Sequence, residues 1–442
     1  THTNTMAAEN TPEGKGKGGR EADATDALAQ YSYEAFIAKF GAKPISAELI
    51  ERFERLTGAR AHVMLRRGLF FAHRDFEKLL DCFEKGRQFY LYTGRGPSSD
   101  NLHLGHLIPF KFTAWLQSVF KCPCVVQLTD DEKLLRDRTL TYEQTDVYAF
   151  ENARDIIACG FDPERTFIFK NSDYYGKMYR FVTEIERMTT VTKLKAMYGF
   201  TDSTNCGYMA FPPKQAAPSF CAAFPNILPG ILNASKKNKS KQPLCIVPCG
   251  MEQDTYFCLA RDVADRLKMP KPTELIGQFI PALQGAGSKM SASKGASALY
   301  LKDTPKQIAK KIRKYAFSGG RDTREEQEKY GADISVDVSV KYLEVFMEDD
   351  EELEKLKVDY AAGRLMTGEV KNVLIAILQD LIKAHNDRKA EITDDVVRAY
   401  MQERMLESVG AVAIKAPEPE VETVEAVEAV TAAVAEMEVK AE

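Results

Sequence analysis

The sequence predicts an α/β protein: a doubly wound parallel sheet with an inserted helical subdomain, followed by a separate all-helical domain. Three observations predict it. Between residues 85 and 300, short apolar runs of β-branched and aromatic residues alternate with helical stretches. The interval 172–243 is longer than one crossover between parallel strands requires. Beyond residue 303 the strand-like runs stop and helical spacing takes over.

Taken in order, residues 1–30 are rich in Gly, Lys, Glu and Ala without periodicity and are expected to be disordered. Residues 31–85 read as a helical extension packed on the sheet domain. Within it Ser46, with Glu48 and Leu49 behind it, starts a helix that Gly58 ends. The sheet domain spans 86–303. Its candidate strands are QFYLYTG (88–94), CVVQLTD (124–130), TFIFKN (166–171) and LCIVPCG (244–250). Each is short and continuously apolar, as a strand buried on both faces should be. Helices between them make the parallel, doubly wound arrangement the economical one. Helices expected at 172–243 form the inserted subdomain. In the next domain, 304–410, Pro305 stands at a first helical turn behind Asp303 and Thr304, and Leu374, Ile377, Leu378, Leu381 and Ile382 recur at helical spacing. Residues 411–442 form an acidic low-complexity tail, expected to be solvated and a candidate surface for other proteins.

Composition narrows the classes. A chain of 442 residues suits two or three domains, and 44% hydrophobic residues supply an ample core. No apolar stretch approaches the roughly 18 residues needed to span a bilayer. The N-terminal stretch, whose residues 1–5 precede Met6 and are set aside, lacks the apolar core of a secretory signal. A soluble, intracellular protein without a membrane partner is expected. The nine cysteines are odd in number and scattered, and Cys122 with Cys124 or Cys245 with Cys249 lack zinc-finger spacing. They read as reduced thiols, mostly buried in strands. Of the net charge of −4, residues 416–442 account for eight glutamates against one lysine, so the rest of the chain is near +3. That mild basicity permits an anionic partner.

Two stretches carry chemistry. GPSSDNLHLGH (96–106) follows the first strand and places His103 and His106 three residues apart on one face of a first helical turn, with Gly105 between them. Metal binding, ordinary helix packing and phosphate handling are all open readings for this pair. A third metal ligand is not supplied nearby. A loop after a strand, at the C-terminal edge of a parallel sheet, is where backbone N–H groups and a helix start meet an anion. GAGSKMSASKG (285–295) is the second stretch: small residues around Lys289, suited to enclosing a phosphate chain, although a solvated linker would look the same.

A strand followed by HLGH, and KMSAS downstream, resembles the HIGH and KMSKS motifs of class I aminoacyl-tRNA synthetases. YLYTGRGPSSDNLHLGHLIPF, VVQLTDDEK, QAAPSF, PALQGAGSKMSAS and AFSGGRDT, in that order, closely resemble the eukaryotic cytoplasmic tryptophanyl-tRNA synthetases. The resemblance covers residues 31–405. One departure is Ala292 at the second lysine of KMSKS, which leaves Lys289 as the motif's only lysine.

The resemblance implies a Rossmann-like catalytic domain, a helical anticodon-binding domain and a homodimer formed through the insertion. It implies ATP and Mg²⁺ as cofactors, with Mg²⁺ bound through the ATP phosphates rather than by the protein. L-tryptophan and tRNA(Trp) are the other implied partners, and the cytoplasm the location. His103, His106 and Lys289 are the implied catalytic residues. Arg95, Pro97, Ser98, Gly105, Lys133, Met290, Ser291, Ala292 and Ser293 would contact ATP. Tyr92 and Gln127 would read the indole N–H; Phe211, Cys249 and Phe257 would wall the ring; Thr129, Glu132, Gln215 and Gln253 would order the amino acid's polar end. Arg321 and Asp322 would contact the anticodon. Near them Lys306, Lys310, Arg313 and Lys314 form a basic helix face, and SKKNKSK (235–241) is a further basic loop. Tyrosyl-tRNA synthetase, a small-molecule nucleotidyltransferase and a non-catalytic RNA-binding paralogue are the alternatives; TDDEK with Gln127, the helical domain, and the intact motifs argue respectively against them.

Overall fold

A computed structural model describes residues 33–228, 242–278, 280–285 and 298–407. Its centre is a seven-stranded sheet: β1 (Lys43–Pro44), β2 (Phe70–Arg74), β3 (Phe89–Arg95), β4 (Cys124–Leu128), β5 (Thr166–Lys170), β6 (Leu244–Gly250) and β7 (Thr273–Gly277). The order across the sheet is β1-β2-β7-β6-β3-β4-β5. The five strands from β7 to β5 run parallel. The four expected strands are these β3, β4, β5 and β6, within one or two residues at each end.

Three strands were not expected. β1 and β2 lie in the segment read as helical and add to the sheet antiparallel, beside β7. The reason is charge: β2 is FFAHR and β7 is TELIG, so neither reads as a continuous apolar run. Their charged side chains are instead buried in company. Arg74 Nε lies 2.9 Å from Asp254 Oδ1 and 3.5 Å from Glu274 Oε2. Burial, then the nearby Asp254, pushes the Glu274 carboxyl well above the usual carboxylate range.

Alternate residues of each strand face opposite sides of the sheet. Leu91, Val126, Ile168 and Ile246 join Leu107, Phe112 and Leu116 of the helix Leu104–Phe120 in one core. Tyr90, Tyr92, Val125, Phe167 and Val247 join Met178, Phe211, Leu259 and Val263 in the other. The second core is roofed by the insertion, which begins with the helices Asn171–Glu186, Val191–Tyr198, Cys206–Met209 and Phe211–Ala216. All nine cysteines are free; six are buried, but only Cys124, Cys245 and Cys249 sit in strands.

The helix predicted behind Ser46 forms as Ala47–Thr57, with the Ser46 side chain accepting from Leu49 N and Gly58 closing it at φ 67°. Helix Pro305–Tyr315 opens the C-terminal array with a capping box between Thr304 and Gln307. It buries Ile308 and Ile312 and leaves Lys306, Lys310, Arg313 and Lys314 exposed. Asp350 pins this array to the N-terminal segment by accepting from Arg60, Arg66 and Arg67.

β3 is the strand at which the chain reverses direction across the sheet: β4 and β5 follow on one side, β6 and β7 on the other. Its pairing with β4 runs to Arg95–Leu128, but its pairing with β6 stops at Leu91–Ile246. The strands part beyond that pair. The resulting crevice is at the topological switch point, where ligands of open α/β sheets bind.

Candidate active site

The crevice opens into a cleft of about 370 Å³. Tyr92, Arg95, His103, Gly105, His106, Gln127, Thr129, Glu132, Lys133, Gln215, Cys249, Gln253 and Phe257 all line it, so most of the residues singled out in the sequence come together.

One wall is the start of helix Leu104–Phe120. His103 is its N-cap and His106 its third residue; the His103 backbone N–H donates to His106 Nδ1 at 3.4 Å, and the two rings stack with centroids 3.4 Å apart. The turn is anchored from outside: Leu104 N donates to the Leu299 carbonyl and Leu301 N to that of Leu102, both at 2.9 Å. Opposite stands Arg95, whose Nε donates to Asn152 Oδ1 at 3.2 Å and whose Nη2 has no hydrogen-bond partner among the described residues. Burial pushes its guanidinium down to about 10, against which Glu132 acts. Lys133 Nζ lies 2.8 Å and Arg136 Nη1 3.5 Å from the buried Glu132 carboxylate. Gly96 makes this cluster possible, because a Cβ there would sit 2.5 Å from Lys133 Cε. Helix-start N–H groups, two imidazoles and three cations form a surface for anionic oxygens. Such donors suit phosphate, not a bare dication, and the Glu132 carboxylate among them is already paired.

The deep end of the cleft is apolar with a polar floor. Tyr92 is 1% exposed and Gln127 fully buried. The Tyr92 hydroxyl lies 2.5 Å from Gln127 Oε1 and 3.0 Å from the Gln215 carbonyl. Burial pushes this phenol well above its ordinary value, which keeps it an O–H donor. Gln127 Nε2 donates to Asn171 Oδ1 at 2.7 Å and to the Lys214 carbonyl at 3.2 Å. Phe257 stands edge-on to Tyr92, with centroids 5.8 Å apart, and Cys249 completes the wall. Gln215 Nε2 donates to Gln253 Oε1 at 3.0 Å, while Thr129 N is tied to the Arg95 carbonyl at 2.9 Å. This is a slot for a flat apolar group with hydrogen-bond acceptors at its inner edge.

Not every expected residue is there. Phe211 does not line the cleft; it lies behind Tyr256, edge-on at 6.0 Å, and Tyr256 takes the wall position. Pro97 is buried and Ser98 exposed, both off the cleft lining. Lys289, Met290, Ser291, Ala292 and Ser293, like the basic loop 235–241, lie outside the described residues. Arg321 and Asp322 are exposed among the C-terminal helices, on a loop held by the Gly319 N–H donating to Asp337 Oδ2 at 2.9 Å. Residues missed in the sequence include Asn152, Asp131, Asn171 and Arg136. Asn171 carried a signal: it is the polar end of TFIFKN, at the C-terminal edge of a parallel strand. Among the described residues, no group of three or more His, Cys, Asp or Glu side chains is placed to hold a metal ion, and no helix is long and apolar enough to cross a membrane.

Comparisons with known proteins agree with this geometry. Residues 84–383 match the family described as tRNA synthetases class I (W and Y). The chain is 49% identical over 385 residues to the cytoplasmic tryptophan–tRNA ligase of Homo sapiens, covering 86% of this chain and 80% of that one. It is 47% identical over 378 residues to the Arabidopsis thaliana enzyme of the same name, covering 85% and 92%. Among solved structures, the tryptophanyl-tRNA synthetase of Giardia lamblia superposes with a TM-score of 0.78 at 51% identity, covering 84% and 98%. That of Encephalitozoon cuniculi, solved bound to tryptophan, does so with 0.77 at 38%, again over 84% and 98%. The chain therefore belongs to the class I tRNA synthetases of the tryptophan and tyrosine group, among the cytoplasmic tryptophan–tRNA ligases.

Proposed function

We propose that this cleft activates L-tryptophan with ATP and passes the activated residue to tRNA(Trp). In the first step a tryptophan carboxylate oxygen attacks the α-phosphorus of ATP. The new acyl–phosphate bond replaces the bond to the β-phosphate oxygen, and pyrophosphate leaves with that electron pair. Charge spreads over the phosphoryl oxygens, so the protein's contribution is positioning and electrostatics. His103 and His106 donate to those oxygens beside the helix start, Gly105 leaves room for the adenosine, and Arg95 and Lys133 complete the anionic side. Lys289 with Ser291 and Ser293 holds the β- and γ-phosphates. Mg²⁺, held through the ATP phosphates rather than by protein side chains, would supply neutralisation of part of their charge. In the second step the terminal ribose hydroxyl of tRNA attacks the acyl carbon and AMP departs.

Selection rests on the slot. Tyr92 and Gln127 meet the indole N–H, Cys249, Phe257 and Tyr256 cover the ring, and Glu132, Gln215 and Gln253 order the amino and carboxylate groups through their network. A buried acceptor left without its donor penalises the wrong amino acid by about 10⁴-fold or more, so no editing site is needed. The observation that carries this reading is the Tyr92–Gln127 pair facing the same cleft as the His103–His106 helix start.

The helical domain takes the anticodon, with Arg321 and Asp322 as base contacts and the Lys306–Lys314 face toward the RNA backbone. The enzyme acts in the cytoplasm as a homodimer formed through the insertion; sedimentation as a monomer would reject the dimer. Pyrophosphate exchange with each amino acid in turn, followed by charging of purified tRNA, tests the whole assignment. Tryptophan alone is expected to support exchange. His106→Ala and Lys289→Ala should each lower it at least about a hundredfold, and normal exchange in either variant would remove that residue from the phosphate site.

A further inference from the structure

Gln127 presents a problem that the reading above leaves open. A glutamine amide has an acceptor end and a donor end, and the two ends differ little in shape. If the donor end faced the slot, it would repel an indole N–H. The selectivity of the site depends on which way this one buried group is turned.

The turn is set from outside the cleft. Asp131 is the side chain from which the amide contacts take their direction, since a carboxylate accepts and never donates. It is held at the edge by Lys214, whose Nζ lies 3.0 Å from Oδ2. Asn171, 1% exposed, meets Asp131 Oδ1 at 2.8 Å, and so must present its Nδ2 amine there. That forces Asn171 Oδ1 toward Gln127, which must then offer Nε2, at 2.7 Å. The Lys214 carbonyl, 3.2 Å away, makes the same demand of Nε2. Only Oε1 is left for the Tyr92 hydroxyl and the slot, and its second lone pair is the one an N–H at the inner edge would use.

We propose that Asp131 and Asn171 are positioning residues: a carboxylate-anchored amide relay that fixes Gln127 with its oxygen toward the substrate. Neither lines the cleft. The relay rests on the reading of Gln127 as the indole acceptor, and the test separates the two.

The readout is the ratio of kcat/KM for tryptophan to kcat/KM for β-(3-benzothienyl)alanine, in which sulfur replaces the indole N–H. Damage that only loosens the slot lowers both values and leaves the ratio. Asp131→Asn gives Lys214 an amide oxygen to bind and turns an amine toward Asn171; Asn171 then turns its own amine to Gln127, whose Nε2 keeps only the longer contact to the Lys214 carbonyl. The ratio is expected to fall roughly ten- to a hundredfold, the scale of one buried mismatch. Asn171→Leu, which keeps the bulk but takes the acceptor away from Gln127 Nε2, should do the same. The double variant Asp131→Asn with Asn171→Asp reverses the donor and acceptor between the two positions and leaves a carboxylate oxygen facing Gln127 Nε2. It should recover the wild-type ratio to within about threefold. An unchanged ratio in both single variants, with a collapsed ratio in Gln127→Ala, overturns the relay and keeps the acceptor. An unchanged ratio in Gln127→Ala overturns the acceptor itself. If the single variants are inactive with both substrates, recovery in the double supports the relay, and a double no better than the singles overturns it.

Discussion

Replacing Tyr92 by Phe removes one oxygen from the floor of the slot and nothing else. That oxygen is buried, and it donates between Gln127 Oε1 at 2.5 Å and the Gln215 carbonyl at 3.0 Å. Each acceptor keeps its burial and loses its donor. The phenol has one proton to share between them, so about one bond is lost, and with an acceptor left buried and unpaired the fold loses about 1–3 kcal/mol. Binding loses less. Gln127 Oε1, freed of the phenol, can take the indole N–H alone, so one of the two proposed acceptors survives. The Michaelis constant for tryptophan in pyrophosphate exchange should rise about five- to tenfold, or about 1 kcal/mol. The constant for ATP should stay within a factor of about two, because the anionic wall of His103, His106, Arg95 and Lys133 is untouched. Exchange kinetics with each substrate varied in turn decides the matter, with urea unfolding reporting the stability loss separately. If tryptophan's constant is unchanged, or if both constants rise together, Tyr92 does not read the indole and the division of the cleft into two ends is wrong.

Two further outcomes follow from groups outside the slot. Burial, then Lys111 and Arg66, pushes His62 down to about 4, so the folded state refuses a proton that the unfolded chain binds from 6.5 downward. Its contribution is complete above pH 6.5 and is lost as pH falls toward 4, up to about 3 kcal/mol. His62 lies 5.2 Å from the ring of Trp115, the chain's single tryptophan, so urea midpoints read by its fluorescence at pH 7 and pH 5 measure the loss. His62→Asn keeps a cap for Met64 N and should flatten the dependence; an unaltered pH profile in that variant assigns it elsewhere. Among the C-terminal helices, a Cβ on Gly319 would come within 1.8 Å of the Asp333 carbonyl oxygen. Gly319→Ala must therefore shift the loop that displays Arg321 and Asp322. Charging of tRNA should fall at least about tenfold while tryptophan-dependent exchange persists, and equal loss of both would contradict the separation of the two sites.

Periodicity sufficed for β3, β4, β5 and β6, because they are covered on both faces and carry continuous apolar runs, with polar residues such as Arg95, Gln127 and Lys170 kept toward the strand ends. It failed for β2 and β7, where Arg74 and Glu274 are buried by pairing with each other and with Asp254; partnership in space has no signature along the chain. The same division holds in the site. His103, His106 and Tyr92 were legible because they sit at fixed distances from a strand end or a helix start. Asn152 and Asp131 were not, since each acts on a residue brought beside it only by folding. Phe211 is the opposite case: the resemblance implies it as a wall, but Tyr256, which it meets edge-on at 6.0 Å, lines the cleft instead.

The parting of β3 from β6 has a backbone origin. Pro248, which brings no N–H, stands two residues past the last rung that joins them, Leu91–Ile246. Below that rung the sheet is sewn together; above it there is an open seam, with Gln127 on the β4 side and Cys249, Gln253 and Phe257 on the other. On the proposed reading, an adenylate lying in the seam touches both lips and takes the place of the missing stitches. Occupancy would then tighten the scaffold as well as fill the slot, so the enzyme should be hardest to unfold while it holds its own intermediate.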